Sequence, residues 1–595
     1  MDELRARYHF QPEKNWMNDP NGPVVIDGKL HLFYQYNPFG AVWGNMTWGH
    51  AVAEDLVRWT HLPCALHPDQ PYDKDGVFSG CCVMKDGLPH ILYTGVKPET
   101  QCLAVGNADA SHFEKYEHNP VIVRQEGEEL NGFRDPFAWS EDGMTYIAVG
   151  SGEKGKRGFA FVYRSEDLKH WERVGELCSG NDPEEDMWEC PNFIRFPDGS
   201  ATLLVSLMKA QNVFAMDGKY HDHKLDAGPL RPFDLGNSFY APNTVTLPDG
   251  RIVNIGWMRE TVPGRESAGW QGMMSIPREI VQYGDGCVGA RPVAEIARLH
   301  AERLLAKKDF TLHSGENALK GLHSRHCEIA LEFEAGSQGT LYLELNKSER
   351  GEEKAVVIYD GVADAIYVEA GKCGGAAQRV GGYVQGRGTT KLRVFLDGSG
   401  LEIFVNDRET LTTRVYPSRE DSDGLRLYAE GGVRSRIQGS KARVVITADA
   451  TVRAGKFKPL KANLDPILEK CPSVAHVVVV RRAGLDNVTM QPNRDIWWHD
   501  LIDDFTLNAD YPCEPMDAND TLFLLHTSGS TGKPTGIMHS TGGYLTYAAH
   551  TTQWCFDMRD DDVYWCTADM GWITGHTYGV YGPLAAHGHH HAGDV

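Results

Sequence analysis

Two carboxylates in the N-terminal half of the chain have surroundings that suit nucleophilic and acid–base chemistry. Asp19 lies in residues 16–22 (WMNDPNG), where proline and glycine predict a tight turn and nearby amide N–H groups can donate to the carboxylate. Such hydrogen bonds favour the ionised form that a nucleophile needs. Glu189 lies in residues 187–191 (MWECP), between apolar side chains that suit a group arriving protonated. We therefore predict Asp19 as nucleophile and Glu189 as general acid/base.

A third carboxylate, Asp135, follows Arg134 in residues 133–136 (FRDP). We expect the guanidinium to hold this carboxylate ionised as a transition-state stabiliser, and both side chains to grip adjacent sugar hydroxyls. Each carboxylate alone also fits an ordinary role, as a turn residue, a surface ion pair or a rim contact. Together they predict a hydrolase site. The aromatic residues that suit stacking on sugar faces, or packing in the core, are Trp16, Trp43, Trp48, Phe78 and Trp188.

A recurring pattern indicates the elements that must position these groups. An aspartate is followed four residues later by an aromatic ring at Asp55, Asp109 and Asp167, with short strand-like segments between them. The spacing from Asp55 to Asp109 and from Asp109 to Asp167 is typical of four-stranded propeller blades. About five repeats of that length would fill residues 1–295. The aromatic ring is expected to pack between blades and the aspartate to organise the preceding turn. Coincidence is the alternative, because the pattern is loose.

The pattern changes twice further along the chain. Residues 300–440 alternate between polar and apolar positions, and residues 392–397 and 401–406 read as a hairpin, so this region predicts a β-sandwich. From residue 441 to 595 continuous apolar strands flank a helix at residues 464–471, which predicts a parallel α/β segment. The fold prediction is therefore a mainly β chain: a five-bladed β-propeller, a β-sandwich and an incomplete α/β segment.

Bulk composition limits the possible functions. The chain has 595 residues, which is too long for one core, and 41% hydrophobic residues, as in globular proteins. Its net charge of -22 disfavours nucleic acid and anionic membranes and favours a neutral substrate. We find neither an apolar leader nor 18 consecutive apolar residues, so a cytoplasmic location is expected. The 13 scattered cysteines suit reduced thiols, and no metal site is predicted. The oligomeric state is left open.

Eight motifs resemble those of glycoside hydrolase family 32, the invertases, levanases, inulinases and sucrose-6-phosphate hydrolases. They lie at residues 16–22, 33–38, 48–50, 78–80, 133–136, 188–191, 239–242 and 272–278. The resemblance covers residues 8–440 and implies a five-bladed propeller followed by a sandwich, with Asp19, Asp135 and Glu189 as catalytic residues. It also implies that a fructosyl unit is held by Asn18, Gln35, Trp43, Phe78, Ser79 and Arg134.

The chemistry implied by this resemblance is retaining cleavage of terminal β-D-fructofuranosyl bonds in sucrose, sucrose 6-phosphate or fructans, without a cofactor. For retention the carboxyls of Asp19 and Glu189 should lie about 5 to 5.5 Å apart. One position departs from the family pattern: Ser238 stands where many members have aspartate before Phe-Tyr-Ala. This departure concerns the preference among subsites more than the reaction.

Residues 527–536 (TSGSTGKPTG) form a glycine- and hydroxyl-rich loop after an apolar strand, which suits phosphate binding. The loop is not a Walker A motif, because its glycine spacing differs and a proline follows the lysine. It resembles adenylate-forming enzymes, and residues 441–588 resemble an internal slice of acetyl-CoA synthetase. The candidate nucleotide-binding residues are Thr527, Ser528, Gly529, Ser530, Thr531, Gly532 and Lys533. ATP and Mg²⁺ are implied only if this segment functions.

Two alternatives to a hydrolase remain open. One is a propeller that binds fructan without cutting it, which the complete carboxylate trio disfavours. The other is a bifunctional fusion with an acetate–CoA ligase, which is disfavoured because the later ATP-binding motifs and the C-terminal lid of that enzyme are not recognised in the sequence. The histidines at residues 589–591 have no acidic or cysteine neighbour that would indicate a metal site.

Overall fold

The computed structural model describes residues 4–586 with short gaps. The gaps are residues 313–315, 335–338, 362, 377–378, 386–387, 432–436, 438–439, 454–455, 470, 504–513, 528–534, 560–561, 569 and 571. The chain forms two compact units. Unit 1 contains the residues up to Tyr428 except for two short segments, His313–Gly315 and Ser337–Thr340. Unit 2 contains those two segments and Ala429–Val595.

Unit 1 begins with five antiparallel sheets that follow one another along the chain. Sheet one contains β1 (Asn15–Ile26), β2 (Lys29–Asn37), β3 (Thr47–Ala53) and β4 (Trp59–Leu66), and sheet two contains β5 (Gly76–Lys85), β6 (Leu88–Val96), β7 (Thr100–Gly106) and β8 (Phe113–Lys115). Sheet three contains β9 (Leu130–Glu141), β10 (Met144–Glu153), β11 (Arg157–Ser165) and β12 (Glu172–Ser179). Each of these sheets pairs its strands in chain order, as propeller blades do.

The fourth and fifth sheets are completed by short additional strands. Sheet four contains β13 (Trp188–Arg195), β14 (Ser200–Leu207), β15 (Asn212–His221), β16 (Lys224–Ala227) and β17 (Arg231–Pro232). Sheet five contains β18 (Phe239–Thr246), β19 (Ile252–Met258), β21 (Met273–Met274), β22 (Arg278–Gln282) and β23 (Val288–Pro292). β20 (Trp270–Gln271), from the same stretch of chain, pairs in parallel with β1. This pairing ties the end of the domain to its beginning.

The first strands of the five sheets form a closed ring. β1 contacts β5, β5 contacts β9, β9 contacts β13, β13 contacts β18, and β18 contacts β1. The sheets are therefore blades around a central axis, and the predicted five-bladed propeller is confirmed.

The Asp-to-aromatic repeat has the structural role expected of it. The Asp55 carboxylate accepts the N–H of Arg58, and Asp167 accepts the N–H groups of Lys169 and His170, so each aspartate closes the turn before the outermost strand. The ring of Phe113 packs 5.4 Å from that of Phe33 on the preceding blade. The repeat thus joins turn formation to packing between blades.

A β-sandwich follows the propeller within unit 1. One sheet contains β24 (His326–Glu334), β29 (Thr389–Asp397), β30 (Gly400–Val405) and β31 (Glu409–Arg414). The other contains β25 (Gly339–Lys347), β26 (Ala355–Asp360), β27 (Ala365–Glu369), β28 (Val380–Tyr383) and β32 (Gly424–Gly431). The predicted hairpin is present as β29 and β30, which pair from Leu392–Val405 to Asp397–Gly400. Short 3-10 turns occur at Glu266–Ala268, Ala294–Leu299 and Gly371–Cys373.

A buried ionic cluster joins the N-terminal segment, the propeller and the sandwich. His9 places Nδ1 2.9 Å from Asp397 and Nε2 2.8 Å from Glu402, and Arg278 pairs with both Glu402 and Asp234. All five side chains are fully buried. Because both imidazole nitrogens face carboxylates, the doubly protonated ring is favoured, and these carboxylates raise the pKa of His9 to about 9 despite its burial.

Unit 2 contains smaller sheets and five helices among its described residues. Three strands form a parallel sheet, β33 (Val444–Ala448), β36 (His476–Val480) and β37 (Asp495–Trp497), and two hairpins pair β34 (Ala450–Arg453) with β35 (Lys456–Pro459) and β38 (Thr521–Thr527) with β39 (Thr535–Ser540). The helices are α1 (Leu460–Leu468), α2 (Trp498–Asp503), α3 (Thr541–Phe556), α4 (Ile573–His576) and α5 (Gly582–Ala586), with a π-helical turn at Thr577–Tyr581.

The parallel pairing of β33 and β36 confirms the predicted α/β pattern, although α1 begins at Leu460 rather than at residue 464. Across the described residues, no helix is long and apolar enough to cross a membrane.

Candidate active site

All five inner strands of the propeller carry a β-bulge close to their N-terminal ends. In β1 the two residues between Met17 and Pro20 oppose one residue on β2. One extra residue is likewise inserted after Phe78 in β5, Arg134 in β9, Glu189 in β13 and Tyr240 in β18. A bulge breaks the alternation of side chains and re-aims them. In four of the five strands a proline lies within the bulge or ends it, where no ladder N–H is required. The bulges therefore turn the side chains of five strands toward one end of the ring.

Asp19 lies at the bulge of β1 and accepts hydrogen bonds from two neighbours. Asn18 donates Nδ2 to one carboxylate oxygen at 2.9 Å, and Ser79 on β5 donates Oγ to the other at 2.8 Å. Trp16 in turn orients Asn18 by donating Nε1 to its side-chain oxygen at 2.7 Å. Burial nevertheless raises the pKa of Asp19, and the hydrogen bonds from Asn18 and Ser79 oppose that rise only in part.

Asp135 lies at the bulge of β9, with a positive φ of 64° that aims its carboxylate inward. Its backbone N–H donates to Thr94 at 2.9 Å, and its carboxylate accepts the backbone N–H of Cys190 at 3.1 Å. Burial raises the pKa of Asp135, the nearby charges of Glu189 and Asp19 raise it further, and Arg134 opposes the rise. Arg134 thus lowers the pKa of Asp135 as expected, but burial and the two neighbouring carboxylates outweigh the guanidinium, so the net shift is upward.

The guanidinium of Arg134 pairs with Glu189 rather than with its sequence neighbour. Nε and Nη2 of Arg134 lie 3.0 and 2.7 Å from one oxygen of Glu189, and Nη1 lies 2.9 Å from Glu99. The other oxygen of Glu189 accepts Oη of Tyr240 at 2.7 Å. Arg134 is the last paired residue before the bulge and Asp135 lies within it, so the two side chains reach different partners. Both oxygens of Glu189 are thus held in place.

Cys190 brings the three carboxylates into one cluster. Its Sγ lies 3.7 Å from an oxygen of Asp19 and 3.5 Å from the same oxygen of Asp135 that accepts its N–H, and it directly follows Glu189. Burial raises the pKa of this thiol well above its ordinary value, so the group stays a neutral S–H. Carboxylates from three blades therefore meet around one buried thiol.

The predicted fructosyl-binding residues fall into three groups. Asn18, Ser79 and Arg134 directly contact carboxylates that are predicted to be catalytic. Trp43 is 59% exposed, and its ring lies edge-on at 6.0 Å from Phe78, next to Ser79. Gln35 is buried and donates Nε2 to the carbonyl of Val77 at 2.9 Å, which links β2 to β5. Its contacts in the structure are thus between blades rather than with the carboxylates, and sugar binding by these six residues stays a prediction.

Four residues of the site were given no role from the sequence. Tyr240 and Cys190 contact carboxylates of the cluster. Thr94 accepts a hydrogen bond from the backbone N–H of Asp135, and Glu99 accepts one from the guanidinium of Arg134. The sequence does contain a pattern that could have identified Tyr240 as a site residue. Tyr240 precedes Ala-Pro on β18 as Glu189 precedes Cys-Pro on β13, so both occupy the last paired position before a bulge.

Ser238, the departure noted in the sequence, lies outside this carboxylate cluster. It is fully buried, donates Oγ to the carbonyl of Arg259 at 2.8 Å, and donates its N–H to Thr412 of the sandwich. Among the predicted nucleotide-binding residues, Thr527 ends β38. Ser528, Gly529, Ser530, Thr531, Gly532 and Lys533 lie outside the described residues.

Comparison with known families identifies two ancestries. The N-terminal domain of glycosyl hydrolases family 32 matches residues 9–287, and the C-terminal domain of that family matches residues 298–447. The AMP-binding enzyme family matches residues 425–592. The two families therefore overlap at residues 425–447, where the chain passes from one to the other.

Individual relatives agree with this division. Raffinose invertase and sucrose-6-phosphate hydrolase of Escherichia coli are each 32% identical, over 71% and 72% of this chain and 92% of their own lengths. Acetyl-coenzyme A synthetase of Rubrobacter xylanophilus is 54% identical over 158 residues, which is 24% of its length. The crystal structure of fructan 1-exohydrolase IIa from Cichorium intybus in complex with 1-kestose has a TM-score of 0.65 at 25% identity, over 72% of this chain and 94% of that one.

Proposed function

The chain belongs to glycosyl hydrolase family 32, and from that premise we propose that it cleaves terminal β-D-fructofuranosyl bonds in sucrose, sucrose 6-phosphate or fructans with retention of configuration. The observation that carries the proposal is the meeting of Asp19, Asp135 and Glu189 around Cys190. A small carbohydrate substrate is consistent with the sucrose and kestose complexes of similar structures.

The first step joins proton transfer to nucleophilic attack. Glu189 gives a proton to the glycosidic oxygen while Asp19 attacks the anomeric carbon of the fructosyl unit, so the bond to the leaving sugar breaks as an ester to Asp19 forms. Asn18 and Ser79 hold the Asp19 carboxylate in one orientation. Tyr240 and Arg134 do the same for Glu189.

The second step reverses these roles. Glu189 removes a proton from water, the water oxygen attacks the anomeric carbon, and the ester to Asp19 breaks to release fructose. Asp135 lies beside both groups and stabilises the positive charge that develops on the sugar ring. We assign no cofactor to either step, because carboxyl groups supply both the nucleophile and the proton.

The stereochemical course tests this mechanism directly. Proton NMR of the first fructose released from sucrose should show the β-anomer before mutarotation. Release of the α-anomer would contradict a double displacement, and binding of sucrose without turnover would indicate instead a propeller that only recognises fructosides.

Location and redox state form a separate proposal. Eleven of the twelve cysteines that the structure describes, all but Cys471, are free thiols, which fits a reducing compartment such as the cytoplasm. Fractionation of the native host, with activity measured in each fraction, tests this location. The oligomeric state needs its own measurement by light scattering.

The 54% identity of one segment of this chain to an acetyl-CoA synthetase suggests a second candidate activity, in unit 2. That relative suggests ATP and Mg²⁺ binding at residues 527–533. Since the matched segment corresponds to 24% of the relative, we expect that this chain does not activate acetate. Release of pyrophosphate from ATP in the presence of acetate is the test.

A further inference from the structure

Glu99 lies in the turn between β6 and β7 of the second blade, and neither step above uses it. One of its carboxylate oxygens accepts Nη1 of Arg134 at 2.9 Å. The other accepts Nη2 of Arg124 at 2.6 Å and the backbone N–H of Phe133 at 2.7 Å. The Glu99 side chain is 16% exposed, so water screens these contacts only weakly. Glu99 is therefore an anion held between two guanidinium groups.

These groups form a row of alternating charge that ends at the proposed acid/base residue. The row runs Arg124, Glu99, Arg134, Glu189, and neighbouring members lie 2.6 to 2.9 Å apart. Arg134 donates Nη1 to Glu99, and it donates Nε and Nη2 to Glu189. The two glutamates thus occupy different edges of one guanidinium, and one cation is shared by two anions.

The mechanism requires Glu189 to change its charge, whereas Arg134 keeps its own. Burial lowers the pKa of Arg134, but three nearby carboxylates outweigh it, so the pKa lies above its ordinary value. When Glu189 carries the proton for the first step, it no longer balances this guanidinium. A cation that is only 12% exposed is destabilised when it has no counter-charge. Without a further anion, Arg134 would therefore oppose protonation of Glu189.

We propose that Glu99 is a positioning residue that serves as the permanent counter-ion of Arg134, so that Glu189 can carry a proton in the first step and lose it in the second. The inference rests on the proposed function and adds a residue to its acid–base chemistry. Glu99 contacts Nη1, which Glu189 does not use, so the guanidinium stays paired in both charge states of Glu189.

The other titratable groups that face Glu189 do not supply a constant negative charge. They are a tyrosine, a thiol and two carboxylates: Tyr240, Cys190, Asp19 and Asp135. Burial raises the pKa of the tyrosine and of the thiol, so both are neutral, and it also raises the pKa of each carboxylate. Arg259 lies beyond the tyrosine, with its guanidinium carbon 5.3 Å from the ring centre. Direct contact with two guanidinium groups distinguishes Glu99 from all of these.

The test is the pH profile of kcat/KM for sucrose in full-length wild type, E99Q and E99D. The alkaline limb of this profile reports loss of the proton that Glu189 donates. Without the charge of Glu99, Arg134 favours the ionised form of Glu189. We expect E99Q to move the alkaline limb to lower pH by roughly one unit, which lowers kcat/KM on that limb by about tenfold. E99D keeps the charge and should move the limb less.

Two further variants separate charge from packing. R124Q removes the other guanidinium from Glu99 but leaves the anion beside Arg134, so its alkaline limb should not move to lower pH. E128Q is the matched control, because Glu128 is 21% exposed and pairs with Arg173 instead of Arg134. Its profile should match that of wild type. An E99Q profile identical to that of wild type would overturn the inference, and so would equal downward shifts in E99Q and R124Q.

A second substrate tests the proton donor separately. 4-Nitrophenyl β-D-fructofuranoside releases a stabilised anion, so its cleavage needs little help from a general acid. At a pH where E99Q loses about tenfold on sucrose, we expect it to lose at most about threefold on the nitrophenyl substrate. Equal losses on the two substrates would contradict a role through Glu189. If wild type hydrolyses neither fructoside, the proposed function itself fails.

Discussion

The two units of this chain differ in how deeply several of their large aromatic side chains are buried. In unit 1 Trp48, Trp188, Phe133 and Phe239 are at most 1% exposed. In unit 2 Trp554 is 77% exposed, and Trp565 and Trp572 are each 68% exposed. Burying one such side chain contributes roughly 1.5 to 3 kcal/mol, so unit 1 gains far more from its aromatics.

The relatives show the same contrast. This chain covers 92% of raffinose invertase but 24% of the acetyl-CoA synthetase, although the second match has the higher identity. High identity over a segment is therefore a weaker basis for function than lower identity over all the strands that build a site. In unit 1 the five inner strands of the ring are present, and the carboxylates of three of them converge.

The largest effect on activity is expected from removal of the proposed nucleophile. We expect D19A to lower kcat for sucrose by at least about 10⁴-fold, because no other group can form the covalent intermediate. E54A is the control: Glu54 lies in unit 1 in a surface pair with Lys29, which contributes little. Turnover of D19A near that of wild type, with both variants folded by circular dichroism, would rule out the assignment of Asp19.

The next test concerns the tyrosine that holds Glu189. Y240F removes the hydrogen bond from Tyr240 and should lower kcat by about 10- to 100-fold, since hydrogen bonds to charged groups are among the stronger ones. Y220F is a matched variant, because Tyr220 donates to Glu141 at 2.8 Å elsewhere in the propeller. If the two variants lose equal activity, Tyr240 is structural rather than a positioning residue.

A third prediction concerns the stability of unit 1 against pH. The pKa of His9 in the folded protein, about 9, lies above its ordinary value of 6.5. Its contribution is therefore complete below about pH 6.5 and is lost as the pH rises through 9, up to about 3 kcal/mol. Urea unfolding of wild type should show this alkaline loss, and H9Q should be less stable at pH 6 and lack it. H300Q, which alters an exposed pair with Glu328, should behave as wild type. An alkaline loss in H9Q equal to that of wild type would contradict the prediction.

The fourth prediction tests whether unit 1 needs unit 2. A chain ending at residue 440 should keep kcat/KM for sucrose within about twofold of the full chain, because domains with their own core fold and act independently. Its solubility should rise, since exposed aromatic surface promotes association. A large loss of activity would show that the two units depend on each other.

The smallest expected effect lies in unit 2. With ATP and acetate, the full chain should release no more pyrophosphate than a K533A variant. Release above that of K533A would establish a second activity and remove the contrast between the units.

Much of the site was predictable because local sequence carries it. Asp19, Asp135 and Glu189 each stand next to residues that form a bulge, and the aspartate-to-aromatic repeat marks the turns and seams of the blades. The parallel strands of unit 2 were likewise predicted from continuous apolar runs in the sequence. Predictions from residue type and spacing succeed where the structure depends on neighbours in sequence.

Only the tertiary structure decided which groups pair across the blades. From the sequence, Arg134 was expected to hold Asp135 ionised, but the bulge of β9 separates the two side chains and the guanidinium pairs with Glu189. The partner of Glu189 on the fifth blade, Tyr240, is 51 residues away in the chain. Residue types and local turns thus determined which groups are candidates for the reaction, whereas closure of the ring determined their neighbours. The physical reason is that charge pairing and loss of hydration depend on distance in space, which sequence spacing does not set.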